Sequence, residues 1–145
     1  MVSETYTIRR ALPADIRPAL DLALNVFAEY EMPDYAPEAL ENFKRGMDIG
    51  KLFIALDGEK TVGLINERKN GHISMLFVDG QYHRRGIATA LMNEMVGALK
   101  SEGIARITLN ASPYGMPFYE HFGFRPTGGV QHADGFVFTP MEYIF

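Results

Sequence analysis

The stretch from residue 72 to residue 110 limits the fold most strongly, because its hydrophobic pattern changes from strand to helix and back to strand. In residues 72–78 every second position is apolar, which is typical of one face of a strand. Residues 87–99 carry apolar side chains at helical spacing, and a second strand pattern covers residues 105–110. This order predicts a parallel pair of strands joined by a crossover helix.

The segments on either side complete one pattern. We predict strands over residues 5–10, 51–56, 62–65, 124–130 and 135–143, and helices over residues 16–27, 37–47 and 112–122. Turn signals at Asp57-Gly58 and Asn70-Gly71 indicate an antiparallel meander. The order β-α-α-β-β-β-α-β-α-β-β predicts an α/β (α+β) fold with a mixed, mostly antiparallel sheet of about seven strands. Helices should cover both faces, and residues 1–145 should form a single domain.

Composition excludes several classes of function. The net charge of -4 argues against a chain that mainly holds nucleic acid, because phosphate neutralisation needs a basic face. The chain has no cysteine, which excludes disulfides, thiolate metal sites and cysteine nucleophiles, and its four histidines lack metal-ligand spacing, so no metal is expected. The apolar segment at residues 19–28 is too short and too polar to span a bilayer, and residues 1–10 have no signal-peptide pattern. We therefore expect a cytoplasmic protein.

Residues 78–92 form a candidate anion site, because a strand ends, a polar loop follows and a helix begins near Gly86. Helix N-termini present unpaired N–H groups, and a glycine there lets phosphate approach the backbone. Arg84 and Arg85 add positive charge, and Thr89 can donate a hydroxyl. A pyrophosphate would suit this site. The alternative is an ordinary capped helix with two solvated arginines, since neither the P-loop nor the dinucleotide-binding motif is present.

Two motifs resemble the GNAT family of N-acetyltransferases. His83-Arg84-Arg85-Gly86-Ile87-Ala88 is similar to the family's acetyl-CoA signature, in which a Gln or Arg is followed two residues later by Gly-x-Gly/Ala. Gly86 and Ala88 match that signature, whereas His83 departs from the usual Gln or Arg. Residues 118–124, Phe-Tyr-Glu-His-Phe-Gly-Phe, resemble the family's aromatic-Tyr-Glu-x-x-Gly-Phe segment. The spacing of the two motifs and the order of elements also resemble the family.

The resemblance implies an acetyl-CoA site between two strands that splay apart, over residues 72–78 and 105–110. It implies that the pantetheine arm pairs with the backbone of the first strand and that the loop holds the pyrophosphate. The residues implied to contact the cofactor are Leu76, Phe77, Val78, His83, Arg84, Arg85, Gly86, Ile87, Ala88, Thr89, Asn110 and Phe118.

Tyr119 is the residue that the resemblance implies for catalysis. A phenol with a pKa near ~10 stays protonated at neutral pH and can donate to a departing thiolate whose conjugate acid has a pKa near ~8.5. The alternative is a tyrosine that belongs to the core and has a satisfied hydroxyl.

The attacking amine must be neutral, so a base is also needed. Glu29, Glu31, Glu67, His72 and His121 are all candidates, and the sequence does not choose among them.

The resemblance places acceptor recognition in residues 28–47 and 130–136. Acidic side chains in this region favour a cationic amine, and aromatic ones could line an amphipathic pocket or simply pack. The acidic ones are Glu29, Glu31, Asp34, Glu38 and Glu41, and the aromatic candidates are Tyr30, Tyr35 and Tyr114.

We therefore expect transfer of an acetyl group from acetyl-CoA to a primary amine of a small molecule, by direct attack through a tetrahedral intermediate. Acetylation of protein lysines or N-termini, and a non-catalytic sensor that binds coenzyme A, are the alternatives. No nucleic-acid or membrane partner is expected. Exposed edge strands near the C-terminus could pair in a homodimer.

Overall fold

The computed structural model describes residues 6–145. In chain order its strands and α-helices are β1 (Thr7–Arg10), α1 (Ile16–Val26), α2 (Ala39–Arg45), β2 (Lys51–Asp57), β3 (Lys60–Glu67), β4 (His72–Val78), α3 (Ile87–Ser101), β5 (Arg106–Ala111), α4 (Met116–Phe122), β6 (Arg125–Pro126), β7 (Gln131–Ala133) and β8 (Phe136–Ile144). Short 3₁₀ turns lie at Pro13–Asp15, Met32–Asp34 and Gly80–Tyr82, and a π turn at Phe27–Glu31 follows α1. Thr5, the first residue of the predicted first strand, lies outside the described residues.

The strands form one mixed sheet in the order β1-β2-β3-β4-β5-β8-β6, and β7 pairs with β8. The β4–β5 pair is parallel and every other pair is antiparallel within the described residues. The predicted fold class and the crossover through α3 are confirmed.

The sheet has eight strands rather than about seven, because the C-terminal segment forms three strands instead of two. Pro126 cannot donate to a ladder and ends β6 after two residues. Asp134 and Gly135 both have positive φ, at 55° and 90°, and close the two-residue turn of the β7–β8 hairpin.

Helices cover both faces of the sheet, each over its own apolar cluster. On one face Leu91 and Met95 of α3 are fully buried beside Ile107 of β5. On the other face Ala23 of α1 and Phe27 of the π turn are buried against β2, β3 and β4. Residues 62–67 of β3 are all buried, which confirms the prediction of a strand enclosed on both faces.

The parallel strands β4 and β5 pair only at their first residues. His72 is opposite Thr108 and Ile73 is opposite Leu109, and no later residue of β4 has a partner in β5. Farther along, Leu76 and Phe77 pair with β3 alone, and the end of β5 pairs with β8 alone. The sheet therefore opens into a V between β4 and β5, as the resemblance implies.

The π turn Phe27–Glu31 is a feature that helical periodicity did not predict. It continues α1, and the N–H of Met32 donates to the carbonyl of Phe27, five residues earlier. The next residue, Pro33, has no N–H and cannot extend the helix. Such turns are rare and occur often at functional sites.

No helix among residues 6–145 is long and apolar enough to cross a bilayer.

Candidate active site

The V between β4 and β5 leads into a cavity of about 590 Å³, which we call the larger cavity. Its walls come from the end of β4, the loop before α3, the π turn and the start of α4. The predicted site residues that line it are Leu76, Phe77, Val78, His83, Arg84, Gly86, Ile87, Ala88, Thr89, Phe118 and Tyr119. The structure thus brings together eleven of the thirteen residues selected from the sequence; Arg85 and Asn110 do not line this cavity.

The loop into α3 presents a row of unused amides to the larger cavity. The backbone N–H groups of residues 84–89 donate to no group within residues 6–145, and the first bond of the helix runs from Ala90 N–H to the Gly86 carbonyl. Arg84 and Gly86 both lie in the left-handed region, with φ of 63° and 79°. Successive N–H groups in such a conformation make a concave anion site, which the positive end of the helix dipole strengthens.

Arg85 points away from the larger cavity because other groups hold its side chain. Its Nη1 donates to the Tyr6 hydroxyl at 2.9 Å, and the guanidinium lies 5.1 Å from the centre of the Tyr82 ring. Tyr82 is fixed in turn by donating to Asp57 at 2.7 Å. The contact implied for the Arg85 side chain is therefore not formed, although its backbone N–H belongs to the unused row.

His83 forms part of the cavity wall. Its Nε2 lies 2.8 Å from the Val78 carbonyl oxygen and must be the donor, since a carbonyl can only accept. Nδ1 is then free to accept from the Tyr114 hydroxyl, 3.4 Å away, and the ring lies 4.9 Å from that of Tyr30. An imidazole here links the loop to the end of β4, which explains how the chain uses a residue that departs from the family signature.

The Tyr119 hydroxyl opens onto the larger cavity, because the ring lines its wall and no residue in 6–145 hydrogen-bonds to the phenol. Burial, with smaller effects from Glu31 and Tyr35, raises the pKa of Tyr119 above its usual value of 10. The phenol is thus fully protonated at neutral pH. Gly115 leaves room for it, since a Cβ at Gly115 would come within 3.1 Å of the Tyr119 ring.

A smaller cavity of about 250 Å³ lies on the α1–α2 side of the sheet and shares Glu31 and Phe77 with the larger one. Asn110 lines this smaller cavity. Alternate residues of a strand face opposite sides of the sheet. Ile107 and Leu109 are buried beneath α3, so Asn110 faces the other way. The implied contact between Asn110 and the cofactor arm is therefore not supported by its position.

Glu31 is the acidic residue that reaches both cavities. Its Oε2 accepts from the Ser112 hydroxyl at 3.1 Å, and the Ser112 oxygen accepts from Gly115 N–H at 3.0 Å. Burial raises the pKa of Glu31 to about 7; Asp34 adds to the rise, and the Ser112 hydrogen bond opposes it. Near neutral pH this carboxyl can therefore both accept and release a proton.

The other candidate bases are placed differently. Glu29 and His121 are exposed and line neither cavity. Glu67 is buried, and its Oε2 accepts from Gly71 N–H at 3.0 Å in the β3–β4 turn. His72 lines the smaller cavity alone, with Nδ1 2.9 Å from the Thr108 hydroxyl. Glu31 is thus the only one of the five candidates at the junction of the cavities.

The acidic cluster expected around the acceptor is reduced to Glu31 in the structure. Its other members, which are exposed and line neither cavity, are Glu29, Asp34, Glu38 and Glu41. The aromatic candidates do line the site, Tyr30 and Tyr114 at the larger cavity and Tyr35 at the smaller one.

The buried carboxyl of Glu31 should make the stability of the fold depend on pH. Its pKa rises from 4.5 to about 7 on folding. The folded state therefore binds the proton more tightly, and the stability present below pH ~4.5 is lost as pH rises through ~7. We expect Glu31→Gln to resemble the unaltered chain near pH 4.5 and to exceed its free energy of unfolding by up to about 3 kcal/mol at pH 8. Urea unfolding at both pH values measures this, and a difference independent of pH would contradict it.

Comparisons with known proteins agree with this arrangement. A family profile described as an acetyltransferase (GNAT) domain matches residues 25–145. The uncharacterized N-acetyltransferase YafP of Escherichia coli (strain K12) is 29% identical over 126 residues, which cover 81% of this chain and 80% of that protein.

Two solved structures share the fold. The GCN5-related N-acetyltransferase from Rhodopseudomonas palustris superposes with a TM-score of 0.81 at 18% identity, covering 97% of this chain and 96% of that one. The PaiA N-acetyltransferase from Thermoplasma acidophilum, solved in complex with coenzyme A, gives a TM-score of 0.74 at 20% identity, covering 97% and 99%.

Proposed function

The chain belongs to the GNAT acetyltransferase family, and on that premise we propose that it moves an acetyl group from acetyl-CoA to a primary amine of a small molecule. The observation that carries this proposal is the position of Glu31, a carboxyl with a pKa of about 7 at the junction of two cavities. The larger cavity suits a long phosphorylated cofactor and the smaller one suits an acceptor. A proton acceptor belongs where the two meet.

We assign acetyl-CoA to the larger cavity, where the chain offers suitable groups at both ends. The free amides of residues 84–89 suit the pyrophosphate. The unpaired edge of β4 at Leu76–Val78 suits the amide groups of the pantetheine arm, which can add to a strand as a peptide does. When bound, acetyl-CoA supplies a thioester, whose carbonyl carbon an amine can attack. In this assignment Arg85 contributes only its backbone, and Asn110 belongs to the acceptor side.

Two residues then handle the protons of the reaction. Glu31, as the carboxylate, takes a proton from the acceptor nitrogen, directly or through water, and so allows the amine to attack. Tyr119, which stays protonated, donates its hydroxyl proton to the sulfur that leaves the acyl carbon. Ser112 positions Glu31 by donating to its Oε2. The nitrogen ends as an amide, the sulfur as a thiol, and the net proton balance returns through solvent.

Glu31→Gln should remove the base and leave the site uncharged. With one acceptor and saturating acetyl-CoA, we expect kcat/KM of the unaltered enzyme to rise with pH through about 7, because only the carboxylate accepts a proton. The variant should turn over about 100-fold more slowly and lose that part of the pH profile. Glu29→Gln, which changes an exposed carboxylate two residues away, is the matched control. An unchanged profile in Glu31→Gln would assign the base to another group.

The proposal is tested by measuring thiol release from acetyl-CoA over polyamines, aminoglycosides, amino acids and lysine peptides. We expect turnover with at least one class of free amine. Turnover confined to lysine peptides or N-terminal peptides would make the chain a protein acetyltransferase. Binding of acetyl-CoA with no turnover on any amine would make it a sensor of the cofactor.

A further inference from the structure

The smaller cavity contains a cation that the reaction proposed above does not use. Arg68 follows β3, lines this cavity, and donates from Nη2 to the Gly46 carbonyl at 3.1 Å, just beyond α2. Within residues 6–145 no carboxylate oxygen lies within 4.0 Å of its guanidinium. A guanidinium has five N–H donors, and a single bond to Gly46 leaves most of them for another partner.

The surroundings of Arg68 also lack negative charge. Glu31 is the only acidic residue among those that line the smaller cavity. Beside Arg68, His72 has its pKa lowered, first by burial and then by the charge of Arg68, so the imidazole is neutral at pH 7. Asn42 and Asn110 supply uncharged amides on the same wall. The far end of the cavity is therefore positive, whereas the end shared with the larger cavity carries Glu31.

The separation between the two ends follows from β4. Phe77 belongs to the shared end, and His72 lies five residues earlier on the strand, beside Arg68. At a rise of about 3.3 Å per residue, this places the two ends roughly 17 Å apart along the strand. The long Arg68 and Glu31 side chains shorten that span. An acceptor that contacts both would still need several atoms between its reactive amine and its second charge.

We propose that the acceptor is an amine that also carries an anionic group, held by Arg68 at the end of the smaller cavity distant from the thioester. The anion is a carboxylate or a phosphate ester, because both match the planar donor array of a guanidinium. Amine and anion are separated by a chain or ring rather than attached to one carbon. This inference rests on the acetyl transfer proposed above and identifies the class of its acceptor.

The test uses two acceptor series with acetyl-CoA: amino carboxylates of increasing chain length, and amino alcohols and amino sugars with and without a phosphate. Each anionic acceptor is paired with an uncharged counterpart of equal length. We expect the longer anionic acceptors to exceed their counterparts in kcat/KM by about tenfold or more, mostly through KM. Comparison of the two series identifies the anion as carboxylate or phosphate.

Arg68→Gln should reduce that ratio at least about tenfold, and Arg68→Lys should restore part of it, since a lysine retains the charge but not the paired donors. Lys69→Gln, which removes the adjacent exposed cation outside both cavities, should leave the ratio unchanged. A ratio that is the same in Arg68→Gln and the unaltered enzyme, or a preference for polyamines, would overturn the inference.

A second readout separates this inference from the proposed function. The shift in melting temperature caused by the same acceptors is measured with coenzyme A present, for the unaltered chain and for Arg68→Gln. A shift with anionic amines that is lost in Arg68→Gln supports the inference even if no acetyl group is transferred, in which case the proposed function fails alone. Acetyl transfer without any Arg68-dependent shift or ratio leaves the function standing and overturns the inference.

Discussion

Gly86→Glu is expected to abolish the binding of acetyl-CoA. Gly86 has a φ of 79°, which costs a residue with a Cβ roughly 1–2 kcal/mol. The new carboxylate would also stand beside the free amides of residues 84–89, where we place the pyrophosphate. Like charges brought together in this way cost several kcal/mol, so affinity should fall by on the order of 100-fold to 1,000-fold. Isothermal titration with acetyl-CoA measures the loss.

Two variants separate the causes of that loss. Gly97→Glu adds the same charge to α3 at an exposed position where a Cβ meets nothing within 4 Å, and it should bind acetyl-CoA normally. Gly86→Asn keeps the backbone N–H, adds no charge and tolerates the left-handed region, so it should weaken binding much less than glutamate. Tight binding by Gly86→Glu would mean that the pyrophosphate lies elsewhere.

Tyr119→Phe is expected to reduce kcat by about 100-fold or more while the affinity for acetyl-CoA changes only a few-fold. The substitution removes one hydroxyl, which opens onto the larger cavity and makes no hydrogen bond within residues 6–145. The ring, which packs 5.6 Å from that of Phe124, is retained. Steady-state kinetics at saturating acceptor, together with titration of acetyl-CoA, gives both quantities.

Tyr143→Phe is the matched control for Tyr119→Phe. Tyr143 packs in the same aromatic cluster, 5.2 Å from Phe122, but lines neither cavity. It should therefore keep its turnover. Equal kcat in Tyr119→Phe and the unaltered enzyme would remove Tyr119 from the chemistry and leave protonation of the thiolate to water.

The crossover around α3 was predictable because its signals are local. Apolar spacing defined β4, α3 and β5, and Gly86 marked where the helix begins. The free amides of the loop follow from helix geometry alone. The C-terminal strands were harder to predict, because the two-residue turn at Asp134 and Gly135 divides a segment whose side chains could also continue a strand.

The side chains of the site depended on contacts distant in sequence. Arg85 could not be told from Arg84, because its direction is set by Tyr6, 79 residues away. The choice of Glu31 among five bases required Ser112, 81 residues away. Asn110 is different, since a signal was present: it alternates with Ile107 and Leu109, which α3 covers, so strand periodicity places it on the opposite face.

The π turn makes the chemistry of the site sensitive to the number of residues between Val26 and Met32. Each residue of an α-helix advances the chain by about 100°, so a deletion of one residue that restored regular α-helix would rotate everything after it by roughly that angle. Tyr30 and Glu31 would then leave both cavities together, although neither had been substituted. Among relatives of this chain, a shortened segment here would mark enzymes that draw their base from another element.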